Sequence, residues 1–342
     1  MYSPTISSIL NFLSGYTNFQ QTALFASFII YGIAVLIFLS AFDYAYGWAE
    51  RKVMAKAQGR HGPNTVGKYG ILQNLADIVK LLSKESILPE GANKYLLYIS
   101  VPSMLALLVF LEFLLPLTPS VYGIDISVGM LLVFTLLSFT PILVFVAGWA
   151  SGNRFASIGS QRSVMMLIAY EIPMLLVMAG VALAARSFDF ISIVSAQSQL
   201  PFIILMPIGF VIFFIVMLAE LERPPFDIRE ADSELIAGWL TDISAPFYAQ
   251  ALFIDYTRVL VGSSLITLLF LGGWNGPSIL PPIAWFLAKI LAVALTFIII
   301  RISTVRMRID RLVHIGFVYL LPLAVLNIIL VFFLFYVSPL VI

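Results

Sequence analysis

Between Glu220 and Asp242 the chain places seven carboxylates, Glu220, Glu222, Asp227, Glu230, Asp232, Glu234 and Asp242, out of only 18 acidic residues in 342. They follow directly on a long apolar run. Crowded, partly buried carboxylates cannot all ionise cheaply, so some hold a proton at neutral pH, which is what a proton relay requires. Pro224 and Pro225 stop any helix inside the stretch. If a helix restarts beyond them, Asp227, Glu230 and Glu234, spaced three and four apart, share one face. The plainer reading is a solvated acidic surface. Position beside a membrane span puts the relay on an equal footing with it, because acids there are functional candidates by default. Two further acids fall within apolar runs. Glu171 stands two residues before Pro173, and Asp255 stands three before Arg258, a spacing that predicts an intrahelical ion pair. Lys289 is a second cation inside a span. Glu112 is expected at the outer end of its span, reaching the surface, and Asp125 and Asp189 are expected in solvent.

The elements that carry these residues are membrane helices. The chain is 61% hydrophobic and 11% charged, against about 25% charged in soluble domains. It has no Cys, which excludes disulfides, thiolate metal sites and iron–sulfur ligation, and two His, His61 and His314, which gives no basis for a His-based metal site. No metal is expected. Residues 1–20 lack Lys and Arg, so no cleavable signal is expected there, and residues 4–16 read as a short surface helix. Runs of about 20 apolar residues predict an all-α polytopic protein with eight spans, 22–42, 96–117, 129–149, 164–185, 200–220, 248–271, 281–301 and 317–337.

Eight of the 19 Lys and Arg fall in loop 43–95, two in 150–163, two in 221–247 and four in 301–316. The positive-inside rule therefore puts these loops inside and both termini outside. Non-helical backbone at a membrane surface must pair with protein or water, so loops 43–95 and 221–247 are expected to fold against each other or a partner. Within them Arg51 and Arg60 set topology or bind anionic lipid. Phe226 and Trp239 are packing residues or the lining of an apolar cavity.

The stretch "AERKVMAKAQGRHGPNTVGKYGILQNLADIVKLLSKE" (Ala49–Glu85) closely resembles the first inside loop of complex I membrane subunit 1, the H subunit of NADH:quinone oxidoreductase. "AELERPPFDIREADSELIAGW" (Ala219–Trp239) resembles that family's second signature, and "AYEIP", "FLGGW" and "RISTVRMRIDRLVH" also match. Two departures are Lys68 in "KYG" and Asp242 in "TDI", where the family usually has Pro and Glu-Tyr. "ERPPFDI" and "GGWNGP" are also similar to archaeal relatives.

The resemblance implies an integral subunit of a prokaryotic cell membrane or the mitochondrial inner membrane. Such a subunit sits where a peripheral electron-carrying arm meets a membrane arm that moves protons. It implies a quinone substrate in a chamber touching Arg51, Arg60, Phe226 and Trp239. Iron–sulfur clusters belong to partner subunits, antiporter-like subunits are neighbours, and this chain itself binds no cofactor. Glu171, Glu220, Glu222, Asp227, Glu230, Asp232, Glu234, Asp242 and Asp255 are then the coupling carboxylates. Rival readings are the equivalent subunit of a membrane-bound hydrogenase, a sulfur-reducing complex or an F420H2 dehydrogenase. A stand-alone secondary transporter would need a repeat symmetry that is not visible.

Overall fold

The computed structural model describes residues 20–124, 126–229 and 232–337. Asp125, Glu230 and the expected helix at 4–16 lie outside them. The described residues are helical, with no strand. Among the described residues, seven helices are long and apolar enough to cross a membrane. They are α1 (Gln20–Ala57), α3 (Lys94–Leu114), α4 (Gly129–Ala150), α5 (Arg154–Ala185), α10 (Ala245–Phe270), α11 (Pro282–Ser303) and α12 (Ile309–Val337). Between them lie α2 (Gln73–Ser83), α6 (Phe190–Ala196), α7 (Phe202–Leu205), α8 (Pro207–Glu220) and α9 (Asp232–Leu235). The last helix carries π-helical turns at Ile315–Leu320 and Phe333–Val337.

Three segments differ from the sequence reading. The span expected over 200–220 is broken at Met206, whose φ of −137° and ψ of 68° interrupt α7 and α8. The cause is Pro207, which lacks an N–H and pushes its predecessor out of the helical region. The first span does not end at Phe42. Helix α1 runs on to Ala57 because "AERKVMAKA" is built of strong helix formers, so part of the expected loop 43–95 is helix. Finally, no helix restarts at Asp227. The chain stays irregular through Arg229, and α9 starts at Asp232. The Met307 amide holds this segment by donating to the Pro225 carbonyl at 3.2 Å.

Helix α10 is the hub. It packs on α1, α2, α3, α6, α8 and α11, and its apolar window is the most buried of the seven. Helices α4, α8 and α12 pack on α5. Close approach is made possible by small residues. At Gly159 of α5 an added Cβ would lie 2.7 Å from the Arg229 carbonyl oxygen and 3.1 Å from Gly238 Cα. This contact seats the acidic loop on α5. At Gly32 an added Cβ meets nothing within 4 Å. Gly159→Ala is therefore expected to lower the unfolding midpoint of the solubilised protein, at a cost of about 1–3 kcal/mol, whereas Gly32→Ala does not lower it. Equal midpoints for the two variants would show that the loop does not depend on this close approach.

Candidate functional site

The site forms where the polar face of α1 meets α10 and loop 221–229. On α1, Asp43, Tyr46 and Glu50 recur at intervals of three and four, so all three point into the bundle. On α10 the facing residues are Asp255, Tyr256, Thr257 and Arg258. The loop adds Glu222, Arg223, Asp227 and Arg229. Glu222 adopts a left-handed backbone, φ +50°, a conformation costing about 1–3 kcal/mol in a non-glycine residue and held only when its surroundings fix it.

Those surroundings are ionic. The Glu222 carboxylate accepts from Arg258 Nη1 at 2.6 Å and from the Ser163 hydroxyl, and forms an ion pair with Arg229. Arg229 Nη2 reaches Asp255 Oδ1 at 2.9 Å, and its guanidinium lies 5.1 Å above the Trp239 ring. Glu50 accepts from Arg301 at 2.6 Å and from Arg223, which stacks between Tyr46 and Tyr256 at 5.7 and 5.6 Å. Glu50, Arg229 and Arg258 are at most 4% exposed. Charges so far from water persist only when paired and hydrogen-bonded. For Arg223, burial pulls the guanidinium pKa down, but the Glu50 carboxylate and other nearby groups more than offset this and hold it above its ordinary value.

Two cavities meet here. A polar one of about 210 Å³ is lined by Glu50, Glu222, Asp227, Arg229, Asp255 and Arg301, among others. An apolar one of about 430 Å³ runs between α1, α2 and α10, with Asp43, Arg51, Asp77 and Phe253 in its wall. Tyr256 and Leu252 line both. Helix α2 forms the outer wall. Its Leu75, Val79 and Leu82 are exposed along one stripe, the pattern of a helix lying in a bilayer interface. It is tied to α1 by Arg51–Asp77 at 2.6 Å and by Asn74 Nδ2 donating to the Tyr44 carbonyl at 3.0 Å. Burial tends to raise the Asp77 pKa, but hydrogen bonds from Arg51 and Gln73 outweigh it and hold the carboxyl below the usual range.

The carboxylates expected from the sequence separate into groups. Glu222, Asp227 and Asp255 face the polar cavity. Glu220 and Glu222 share a void of about 10 Å³ with Ser163 and Tyr170, at the threshold for one water. Glu171 lies within electrostatic reach of Glu220 and accepts from the Ser138 hydroxyl of α4. Asp232 opens α9 and Asp242 is half-buried in a turn.

Glu234 does not join this group. It is exposed, gripped by Arg162 at 2.6 Å and Arg306 at 2.9 Å. The Arg162 hydrogen bond holds its pKa below the ordinary glutamate range. The clamp is thus complete above that range and is lost as pH falls through the lowered folded value.

Other expectations need correction. Asp255 and Arg258 do not pair with each other, because each finds a partner from the loop, Arg229 and Glu222. Glu112 does not reach the surface and is 2% exposed, because α1 and α10 pack over it. Lys289, the second cation inside a span, is held by backbone carbonyls. Its ammonium donates to the Leu271, Gly273 and Asn275 carbonyls at 2.7, 2.9 and 2.6 Å, closing the turn between α10 and α11. Of the four expected chamber residues only Arg51 lines either cavity. Arg60 is exposed and bonds Gln58 at 2.8 Å, Phe226 packs edge-on against Tyr170 at 5.4 Å, and Trp239 is fully buried. Conversely, sequence reasoning misses Asp43 and Glu50. Their seven-residue spacing, two helical turns, is the signal that finds them.

A family model described as NADH dehydrogenase matches residues 29–332. The NADH-quinone oxidoreductase H subunit of Bacillus mycoides (strain KBAB4) is 40% identical over 331 residues, covering 95% of this chain and 97% of that protein. The H subunit of Dehalococcoides mccartyi (strain CBDB1) is 38% identical over 308 residues, 90% and 84% of the two chains. An H subunit of Syntrophobacter fumaroxidans (strain DSM 10017 / MPOB) is 39% identical over 305 residues, 86% and 91%.

Because Arg229 bridges Glu222 and Asp255, Arg229→Met should destabilise the protein by about 3–5 kcal/mol, the cost of stripping one side of a buried pair. Arg229→Lys, which keeps charge but loses the fork, should cost less. Thermal unfolding in detergent measures both, and a wild-type midpoint for Arg229→Met would mean that other groups hold the two acids.

Proposed function

The chain belongs to the H subunit family of NADH-quinone oxidoreductases, and on that premise we propose that it forms the quinone chamber of a proton-translocating complex and the first carboxylates of its coupling path. It is a membrane subunit of the complex I type. The observation that carries the proposal is the paired cavity. An apolar pocket, open beside an amphipathic surface helix, adjoins at Tyr256 and Leu252 a buried polar cavity walled by Glu50, Glu222, Asp227 and Asp255. A quinone tail suits the first and a headgroup suits the mouth of the second.

Reduction of a quinone to quinol takes up two electrons and two protons. The electrons come from iron–sulfur clusters of peripheral subunits docked on loops 43–95 and 221–247, which we assign to the inside, with both termini outside. The protons are drawn from groups facing the cavity. Loss of a proton there changes the charge balance that Arg223, Arg229, Arg258 and Arg301 hold, and Glu222 passes the change to Glu220 and Glu171. Glu234, ionised between two arginines, braces α9 against α5 instead of carrying protons. Antiporter-like subunits lie beyond Glu171. The names of the relatives speak for quinone rather than for the hydrogenase, sulfur-reducing and F420H2 readings.

A carboxylate at the depth of Glu171 costs about 2.5–3.5 kcal/mol on insertion scales, so its presence calls for a function. Gln preserves a hydrogen bond with Ser138 but cannot release and retake a proton. In the assembled complex, reconstituted in vesicles, Glu171→Gln should lower proton pumping by about tenfold or more, with Glu171→Asp retaining part. Wild-type pumping in the Gln variant would reduce Glu171 to a hydrogen-bonding group.

A further inference from the structure

A second set of buried polar groups lies between α1, α3 and α10, away from the acidic loop. Glu112 stands near the far end of α3 from Lys94, and it is 2% exposed. Neither carboxyl oxygen makes a regular hydrogen bond. Tyr31 of α1 and Ser264 of α10 are close enough to influence it, and Tyr31 packs edge-on against the neighbouring Phe113 at 4.9 Å. The Tyr31 and Ser264 hydroxyls are also buried without regular partners. Seven residues before Ser264 on the same face of α10, Thr257 donates to Asp43 Oδ2 at 2.7 Å, while Asp43 Oδ1 is unpartnered. Asp43 lines the apolar cavity and is within electrostatic reach of Glu112.

Two orphaned hydroxyls thus lie beside one acid that itself has no partner. An ionised Glu112 would be an uncompensated charge in the bilayer, far costlier than a neutral acid. The available cation, Arg258, sits beside Met104 and is committed to Glu222. Helix α4, which packs on α3, carries no charged residue. A buried polar atom left without a partner is costly, and ordered water bonding several such atoms removes that cost.

We propose that Glu112, Tyr31 and Ser264 form a hydrated proton-holding site in the half of the membrane remote from the acidic loop, linked to the cavity wall through Asp43. Glu112 holds the proton, and water joins it to the two hydroxyls. Thr257, which bonds Asp43, and Ser264, beside Glu112, are two helical turns apart on α10, about 10 Å of rise. The site therefore answers electrostatically to the charge on Asp43. The orphaned atoms call for such a site whatever enters the cavity.

Infrared spectroscopy of the intact complex tests it without turnover. The expected result is a protonated-carboxyl carbonyl band that exchanges in D2O, is absent in Glu112→Gln and is displaced in Asp43→Asn. If Glu112→Gln does not assemble, Tyr31→Phe, which removes one hydroxyl, should displace the same band. A band that does not exchange, or one unchanged in every variant that assembles, overturns the site. Because no quinone is added, that failure would leave the chamber reading untouched, and loss of quinone activity in Glu171→Gln would not rescue it.

Discussion

Withdrawing an arginine from water costs several kcal/mol, and here three of them, Arg223, Arg229 and Arg258, together with the half-buried Arg301, meet Glu50, Glu222 and Asp255 at the inner end of the helix bundle. The surrounding structure is shaped to satisfy them. Tyr46, Tyr256 and Trp239 offer ring faces to guanidinium groups. Glu222 takes a strained backbone to present its carboxylate, and Gly159 lets the loop backbone lie against α5. A network of this kind is weak evidence for stability, since apolar replacements of equal shape often do as well. The use we propose for it is that protonation of one member redistributes the rest.

The position of the network explains why two different cavities lie side by side. The apolar cavity needs an amphipathic wall, and α2 supplies one, fastened by Arg51–Asp77. The polar cavity needs fixed charges, and loop 221–229 supplies them on a backbone that two prolines keep out of helix. Tyr256 belongs to both. A substrate with a long apolar tail and a reducible polar head matches this pairing, whereas a purely ionic substrate would leave the larger cavity without purpose.

Much of this is legible in the sequence. Hydropathy alone yields the helical membrane fold, and the acids after Glu220 mark the loop that closes the site. Three features are harder to see. Polar residues begin at Asp43 and so suggest the end of the first span, yet Asp43 and Glu50 are buried by α10; their seven-residue spacing marks a shared helix face but not what covers it. Asp255 and Arg258 have the spacing of an intrahelical pair, but the loop offers each a better partner. Glu234 counts equally with Glu222 in composition, and only folding shows one clamped at the surface and the other buried. Pro207, by contrast, is a helix break that the sequence alone displays.

Glu222 stands between the polar cavity and the acids of the membrane path, and its role as transmitter of the protonation change is what most needs testing. The most direct measurement is the number of protons pumped per electron delivered to a short-chain quinone in vesicles carrying the Glu222→Gln complex. Quinone reduction is expected to continue while the ratio falls sharply, because the chamber remains but its charge no longer responds. A wild-type ratio in that variant would contradict the role given to Glu222.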